Sequence, residues 1–244
     1  MPSIKLENLN FSFEKKKAKT IVLNDVSLEF ESNKIHVILG QSGCGKTTLL
    51  KCINGLYDYE GHIYFDDILM DQVPPKDRMI GYVSQEFGLF PHFSLFKSIS
   101  YPLLISGTDA DEIRRRTDEI CEVLGIKELL SRKPKQVSLG EEQRAAIARA
   151  LIKRPPICLF DEPLSNVDES SRAKIRAKIR DMIHEYNCTA IYVTHDLSEA
   201  TSIADYIYLL GKGGFIAKGT AKEMVESNKL EVKEFFDTLK NETL

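Results

Sequence analysis

The chain contains no tryptophan and no uninterrupted apolar run near the roughly eighteen residues that a membrane-spanning helix requires. Its start, MPSIKLENLNF, has neither the basic stretch nor the apolar stretch of an export signal, which predicts a cytoplasmic protein. A basic excess is missing too: Lys plus Arg total 33 against 36 Asp plus Glu, a net charge of -3, so no nucleic-acid partner is expected. The five cysteines, Cys44, Cys52, Cys121, Cys158 and Cys188, show no C-x-x-C or His-rich spacing. That excludes a recognisable zinc site and a disulfide framework and leaves reduced thiols. Internal repeats and low-complexity segments are absent as well.

What is present is enough apolar material, 43% of 244 residues, for one large domain or one domain carrying a subdomain. Short β-rich runs (SIKLENLNF, KIHVILG, IYFDDI, IGYVSQ) alternate with helical stretches, the pattern of an α/β domain with a largely parallel sheet. KKKAK at residues 15–19 reads as a solvated hairpin tip. From about Asp109 to Lys135 the sequence turns helical and charged, with Ile113, Ile120, Val123, Leu124 and Leu129 at near-helical spacing. A second α/β stretch follows, with a helix from Ser138 to about Lys153, the strand ICLF, a helix over 170–186 and the strand AIYVTH. YIYLLGKGGFIAKGT predicts a hairpin turning at Gly213 and Gly214, and the tail beyond Thr220 is amphipathic.

Between the strand KIHVIL and a following helix lies GQSGCGKT, which satisfies G-x-x-x-x-G-K-[ST]. The run Gly40, Gln41, Ser42, Gly43, Cys44, Gly45, Lys46, Thr47 and Thr48 is the candidate phosphate cradle. Its glycines let backbone N–H groups curve around phosphate oxygens, Lys46 reaches the β and γ phosphates, and Thr47 is placed to ligate Mg²⁺. Cys44, beside a helix N-terminus, reads as the most reactive of the five thiols. The apolar strand ICLFDEP ends in Asp161, suited to the Mg²⁺ shell, and Glu162, suited to polarise an attacking water. YVTHD ends a strand at His195; on its own, a histidine there is more often a satisfied polar group than a catalytic one.

With these motifs in order, the chain resembles the nucleotide-binding subunit of an ABC transporter over nearly its whole length. Gln85 in YVSQEF resembles the Q-loop glutamine, VSLGEEQR the L-S-G-G-Q signature, Asp161 and Glu162 the Walker B pair, SNVD ending at Asp168 the D-loop, and His195 the switch histidine. The resemblance implies a P-loop NTPase core, an N-terminal antiparallel β portion and an inserted helical subdomain. Residues 1–86 and 137–219 would form the core, 87–136 the helical part and 220–244 a helical tail. It implies ATP and Mg²⁺ as cofactors, with Thr47, Gln85 and Asp161 toward the metal and Lys46, Gln85, Glu162 and His195 toward catalysis. Two subunits would sandwich ATP, one cradle against Ser138, Gly140 and Asp168 of the other, as a homodimer or a heterodimer.

Phe13 falls where the family places an aromatic ring against adenine; the alternative is a core phenylalanine on an alternating strand. The runs RKPKQVS, LFPHFS and DEPLSN are most similar to sugar-type importer subunits, which implies integral membrane permease partners and a location on the inner face of the cell membrane. Many such subunits carry a C-terminal regulatory domain, and with the sequence ending at Leu244 regulation of that kind is not expected. Phe87, Phe90, Phe93 and Phe96 lie within ten residues. They read either as packing for the helical part or as a groove for a permease helix.

The signature departs from the family's pattern. Ser138 and Gly140 are kept, Val137 replaces Leu, Leu139 replaces Gly and Glu141 replaces Gln. Ser138 and Glu141 also spell a capping box, and a capped helix start is itself a device for binding phosphate. Leu139 adds a side chain where glycine allows close approach and Glu141 adds negative charge near a triphosphate, so an impaired but not dead site is expected. A soluble ABC ATPase of non-transport function and a weakly active regulatory partner are the two other functional expectations.

Overall fold

The computed structural model describes residues 1–15, 18–212 and 214–242. β1 (Ile4–Lys15) and β2 (Ala18–Phe30) form a long antiparallel hairpin paired from Ile4↔Phe30 to Lys15↔Ala18. Lys16 and Lys17 of the expected tip lie outside the described residues. β3 (Ile35–Leu39) and α1 (Lys46–Ile53) follow, then β4 (Glu60–Phe65) and the short β5 (Ile68–Leu69) return to complete a sheet of order β2-β1-β4-β5. Gly61 sits at φ 94 where a Cβ would lie 2.3 Å from the Asn8 carbonyl, so only glycine lets β4 approach the irregular middle of β1.

A second sheet is built from β6 (Ile80–Val83), β7 (Ile157–Asp161), β8 (Thr189–Thr194), β9 (Tyr206–Gly211) and β10 (Gly214–Thr220) together with β3, in the order β10-β9-β3-β8-β7-β6. All neighbours are parallel except β9 and β10. β3, β7 and β8 are buried along their whole length, which is why they read as continuous apolar runs rather than alternating ones. Alternate residues of these strands enter opposite cores. Val37, Phe160 and Tyr192 face a core shared with the helices, whereas Ile38, Leu159 and Val193 face one shared with α1 and the first sheet.

Between β6 and β7 the chain forms α2 (Leu95–Ile105), α3 (Ala110–Leu124) and α4 (Leu139–Leu151). α5 (Glu169–Glu185) joins β7 to β8, α6 (Leu197–Ile203) joins β8 to β9, and α7 (Ala221–Val225) and α8 (Leu230–Glu242) form the helical tail. The helical segment starts earlier than the charged run suggested. Leu95, Ile99 and Leu103 are buried at four-residue spacing in α2, and Ser94 caps it by accepting from the Lys97 N–H. Aromatics and an internal Pro102 hid that period. In α3, Ile113, Ile120 and Leu124 face the core, but Val123 is exposed, and the helix stops at Gly125 with φ 67. The core is continuous from Leu95 and Ile120 through Ala146 to Phe160, so the helices are built onto the sheet rather than beside it. Gly213, expected at the last hairpin turn, lies outside the described residues.

His36, in the strand leading to the cradle, is fully buried among Phe30, Tyr206 and Tyr208. Its Nε2–H donates to the Glu31 carbonyl at 2.7 Å. Burial holds this imidazole neutral, lowering its pKa from 6.5 to about 4. Between those values the unfolded chain takes up a proton that the folded chain refuses, so stability drops as pH falls from 6.5 to 4, with a share of about 3 kcal/mol from this group. Urea unfolding between pH 7.5 and 5 should show this slope in the unaltered chain and a shallower one in His36→Gln; equal slopes would remove His36 from the account.

Candidate nucleotide site

Four parallel strands deliver the site, because β3, β6, β7 and β8 all end at one edge of the sheet. Leu39 is paired with Thr194, Asp161 with Val193 and Val83 with Phe160, so the segments beginning at Gly40, Ser84, Glu162 and His195 emerge side by side. They surround a cleft of about 650 Å³ lined by Phe13, Val22, Ser42, Gly43, Gly45, Lys46, Thr47, Thr48, Gln85, Glu162 and His195.

The cradle adopts the conformations its glycines allow. Gly43 and Gly45 lie at φ 76 and 112, and a Cβ on Gly45 would sit 3.0 Å from Val22 Cγ1. The Lys46 ammonium donates to the carbonyls of Gly40 at 2.6 Å and Gln41 at 2.8 Å, which holds the cation within the loop. Thr47 Oγ1 donates to Asp161 Oδ1 at 2.9 Å, and Tyr82 OH approaches Asp161 Oδ2 at 3.4 Å. Burial pushes the Asp161 carboxyl up, the Thr47 hydroxyl opposes this, and the neighbouring Glu162 charge adds to the rise. A buried carboxylate with only hydroxyl partners, next to a threonine hydroxyl at the mouth of a phosphate loop, is the oxygen donor set that Mg²⁺ prefers. These residues fit the ion.

Glu162 has an unusual backbone, with φ 48 and its N–H donating to the Val193 carbonyl at 3.1 Å. Its Oε1 accepts from His195 Nδ1 at 3.2 Å. That bond holds the Glu162 carboxyl below its ordinary range against the effect of burial, and it raises the pKa of His195. Phe13 is exposed rather than in the core; its ring packs edge-on against Phe11 at 4.9 Å and Tyr57 at 6.0 Å, beside the cradle.

Other expected residues lie elsewhere. Ser138, Gly140 and Asp168 do not line this cleft. Ser138 caps α4 and Asp168 caps α5, each by accepting backbone N–H groups. Glu141 closes the capping box, its carboxylate accepting from the Ser138 N–H at 2.7 Å. Cys44 corrects the sequence reading. Its side chain is 5% exposed and packs into the core with Ile38 and Leu49, so the helix terminus beside it does not make it an accessible thiol.

Two residues of this region were not singled out in the sequence. Gln143 is fully buried, donates to the Glu162 carbonyl at 3.3 Å and accepts from the Asn166 N–H at 3.2 Å, tying α4 at two points to the segment that follows β7. Tyr82, on Asp161, is the other. Their only signal was position, Gln143 in VSLGEEQR and Tyr82 three residues before Gln85.

Residues 23–165, more than half of the chain, match the ABC transporter family. The chain belongs to the ABC transporter family. It is 40% identical over 214 residues to the maltose/maltodextrin import ATP-binding protein MalK of Vibrio cholerae, covering 87% of this chain and 56% of that protein. It is 37% identical over 227 residues to the sn-glycerol-3-phosphate import ATP-binding protein UgpC of Yersinia enterocolitica, covering 93% of this chain and 62% of the relative. The chain thus spans little more than half the length of such relatives. Among solved structures, the dimeric post-hydrolysis state of the ATP-binding cassette MJ0796 bound to ADP and Pi superposes with a TM-score of 0.83 at 29% identity, over 89% of this chain and 98% of that one. The ABC cassette fold, expected from the motifs, is therefore the fold of this chain.

Because the folded pKa of His195 is raised, the stabilisation from its pair with Glu162 is complete below the unfolded value near 6.5 and is lost as pH rises through the folded value. In an NMR titration His195 should therefore titrate above 6.5, and Glu162→Gln should bring it down. A midpoint at or below 6.5 in the unaltered chain would mean that the pair does not form in solution.

Proposed function

We propose that the chain is the ATP-hydrolysing subunit of an ABC importer, working as a dimer beneath membrane permease subunits on the cytoplasmic side. The observation that carries this is the single cleft holding Lys46, Thr47, Gln85, Glu162 and His195. Backbone N–H groups of the cradle and the Lys46 ammonium bind the phosphates. Thr47 and Asp161 would hold Mg²⁺ with Gln85 beside them, and the ion would supply neutralisation of phosphate charge. Glu162 takes the proton of a water that attacks the γ-phosphorus, the β–γ bridging P–O bond breaks, and ADP and phosphate leave. His195 fixes the Glu162 carboxylate through Nδ1–H and presents the rest of its ring to the cleft. Phe13 offers an exposed ring for the adenine.

Ser138, Gly140 and Asp168 lie outside the cleft of their own subunit, which accords with their serving the cradle of a second one. Import is favoured by relatives named for maltose/maltodextrin, trehalose/maltose and glycerol-3-phosphate import at nearly equal identity, 40%, 39% and 37%. Such even likeness across different solutes supports the reading that solute choice lies outside this chain. The aromatic connector divides its tasks. Phe87 is buried, while Phe90 is exposed and forms a cluster with Phe93 and Tyr101 at ring distances of 5.0–6.2 Å. With the exposed Leu104 and Ile105 nearby in sequence, this is the surface we assign to a permease helix.

A second reading, a weakly active regulatory partner, draws support from α4. Leu139 is 53% exposed at the helix start, and the Glu141 carboxylate already occupies an N–H that would otherwise face phosphate.

Two experiments test these readings. Glu162→Gln should keep ATP binding but slow turnover by roughly 10²–10⁴-fold, with an ATP-bound dimer accumulating on gel filtration; near-normal turnover would remove Glu162 as the base. Leu139→Gly combined with Glu141→Gln should raise turnover and ATP-driven dimerisation, because it restores close backbone approach and removes a competing anion. If that variant leaves both unchanged and the chain hydrolyses almost no ATP, the regulatory reading takes first place.

A further inference from the structure

The turn that carries His195 is clamped from beneath by a carboxyl on the following helix. Glu199 is only 5% exposed, one turn beyond His195. Its Oε1 accepts from the Tyr192 hydroxyl at 2.5 Å and its Oε2 from the Thr194 hydroxyl at 2.6 Å. Tyr192 and Thr194 are two apart on β8, so they share a face and one carboxyl reaches both. The loop closes back on itself from the other side. Asp196 donates its N–H to Thr194 Oγ1 at 3.0 Å, and its Oδ1 accepts from the Glu199 N–H at 3.0 Å. Both neighbours of His195 are therefore fixed through Glu199, while the histidine ring itself points to Glu162.

The same knot touches the segment after β7. Arg172 donates to the Val167 carbonyl at 3.1 Å and lies 3.7 Å from Asp196 Oδ2.

We propose that Glu199 is a positioning residue for the switch histidine: by tying Tyr192 and Thr194 together it locks the 194–196 turn in the one geometry that aims His195 into the cleft. Glu199 does not line the cleft. The inference rests on the hydrolytic role given above to His195 and Glu162. A carboxyl suits the task because it has acceptors on both oxygens for two hydroxyl donors, and an amide offers only one. Burial raises the Glu199 pKa while the Thr194 and Tyr192 hydroxyls oppose that rise. Glu199 lies in the first turn of α6 and its hydroxyl partners lie on β8, so the clamp joins two rigid elements.

The test uses the full chain with ATP turnover, nucleotide affinity and the NMR line of the His195 ring. Glu199→Gln should lower turnover by about 10- to 100-fold, the usual consequence of a small misplacement, with affinity for ATP unchanged. Thr194→Val, which removes one hydroxyl at nearly constant volume, should act in the same direction, and Thr194→Ser should restore activity. In the unaltered chain Glu162→Gln displaces the His195 ring line; in a Glu199→Gln background that displacement should shrink, because the ring is no longer held on Glu162. A role confined to satisfying two buried hydroxyls would cost stability and leave that displacement at full size, and this result overturns the inference. Unchanged turnover in Glu199→Gln beside a crippled His195→Ala sinks the inference alone. Unchanged turnover in His195→Ala sinks the hydrolytic reading and the inference with it. If Glu199→Gln fails to fold, the Thr194 pair decides the matter by the same readouts.

Discussion

The parallel register of β3, β8 and β7 is the constraint on which the site depends. Each strand is buried on both faces, so none can slip without exposing a full set of apolar side chains. With Leu39 opposite Thr194 and Asp161 opposite Val193, the first polar groups beyond the core arrive within one residue of each other on neighbouring strands. The Thr47–Asp161 and Glu162–His195 contacts are consequences of that alignment rather than separate inventions. Ligands gather at the carboxyl ends of strands in open α/β sheets for this reason.

How much of this was legible depended on whether the information is local. The cradle is local: a strand, a turn that needs positive φ and a helix start lie within a dozen residues, and the glycines announce them. The strand ends at Asp161 and His195 were legible because apolar runs stop abruptly at polar residues. Side-chain direction was not. The helix terminus beside Cys44 promised a reactive thiol, but the packed fold buries that side chain in the core shared with Ile38 and Leu49. The aromatic connector could not be divided in advance, since only the packed fold separates Phe87 and Phe96 from Phe90 and Phe93. Periodicity alone did not show α2, whose apolar spacing was crowded by aromatics although Ser94 marked its start; only the resemblance, with its helical part over 87–136, covered it. Gln143 acts on residues 19 and 23 positions away, and nothing near it in sequence foretells them; Glu199 reaches Thr194 and Tyr192 because the turn after β8 folds α6 back onto the strand.

The start of α4 shows one structure serving two demands. As a capped terminus it is well made, since Ser138 and Glu141 satisfy each other's N–H groups, a motif worth about 1 kcal/mol in helix stability. As a phosphate-binding terminus, the role proposed above, it would be compromised, because a carboxylate stands where the dipole would attract an incoming anion. The hydrogen bond from the Ser138 N–H keeps the Glu141 pKa low, so the group stays charged near neutrality and the competition persists. In the dimer proposed above, what helps the isolated subunit would therefore oppose closure around ATP.

Two buried carboxyls, Asp161 and Glu199, bracket the reacting groups, and both are held by hydroxyls rather than by lysine or arginine. Hydroxyls satisfy lone pairs without neutralising charge, so such a carboxylate remains costly in a poorly solvated setting, as the raised pKa of each records. For Asp161 that residual charge lies beside Thr47 of the cradle, where the divalent cation proposed above would relieve the cost and be attracted by it. A direct lysine partner would have made the resting subunit more stable and the metal less welcome. For Glu199 no cation arrives, and the cost is tolerated because two short hydroxyl bonds fix a turn that no apolar side chain could fix. The polar core thus spends stability at the two points where the cleft needs fixed geometry.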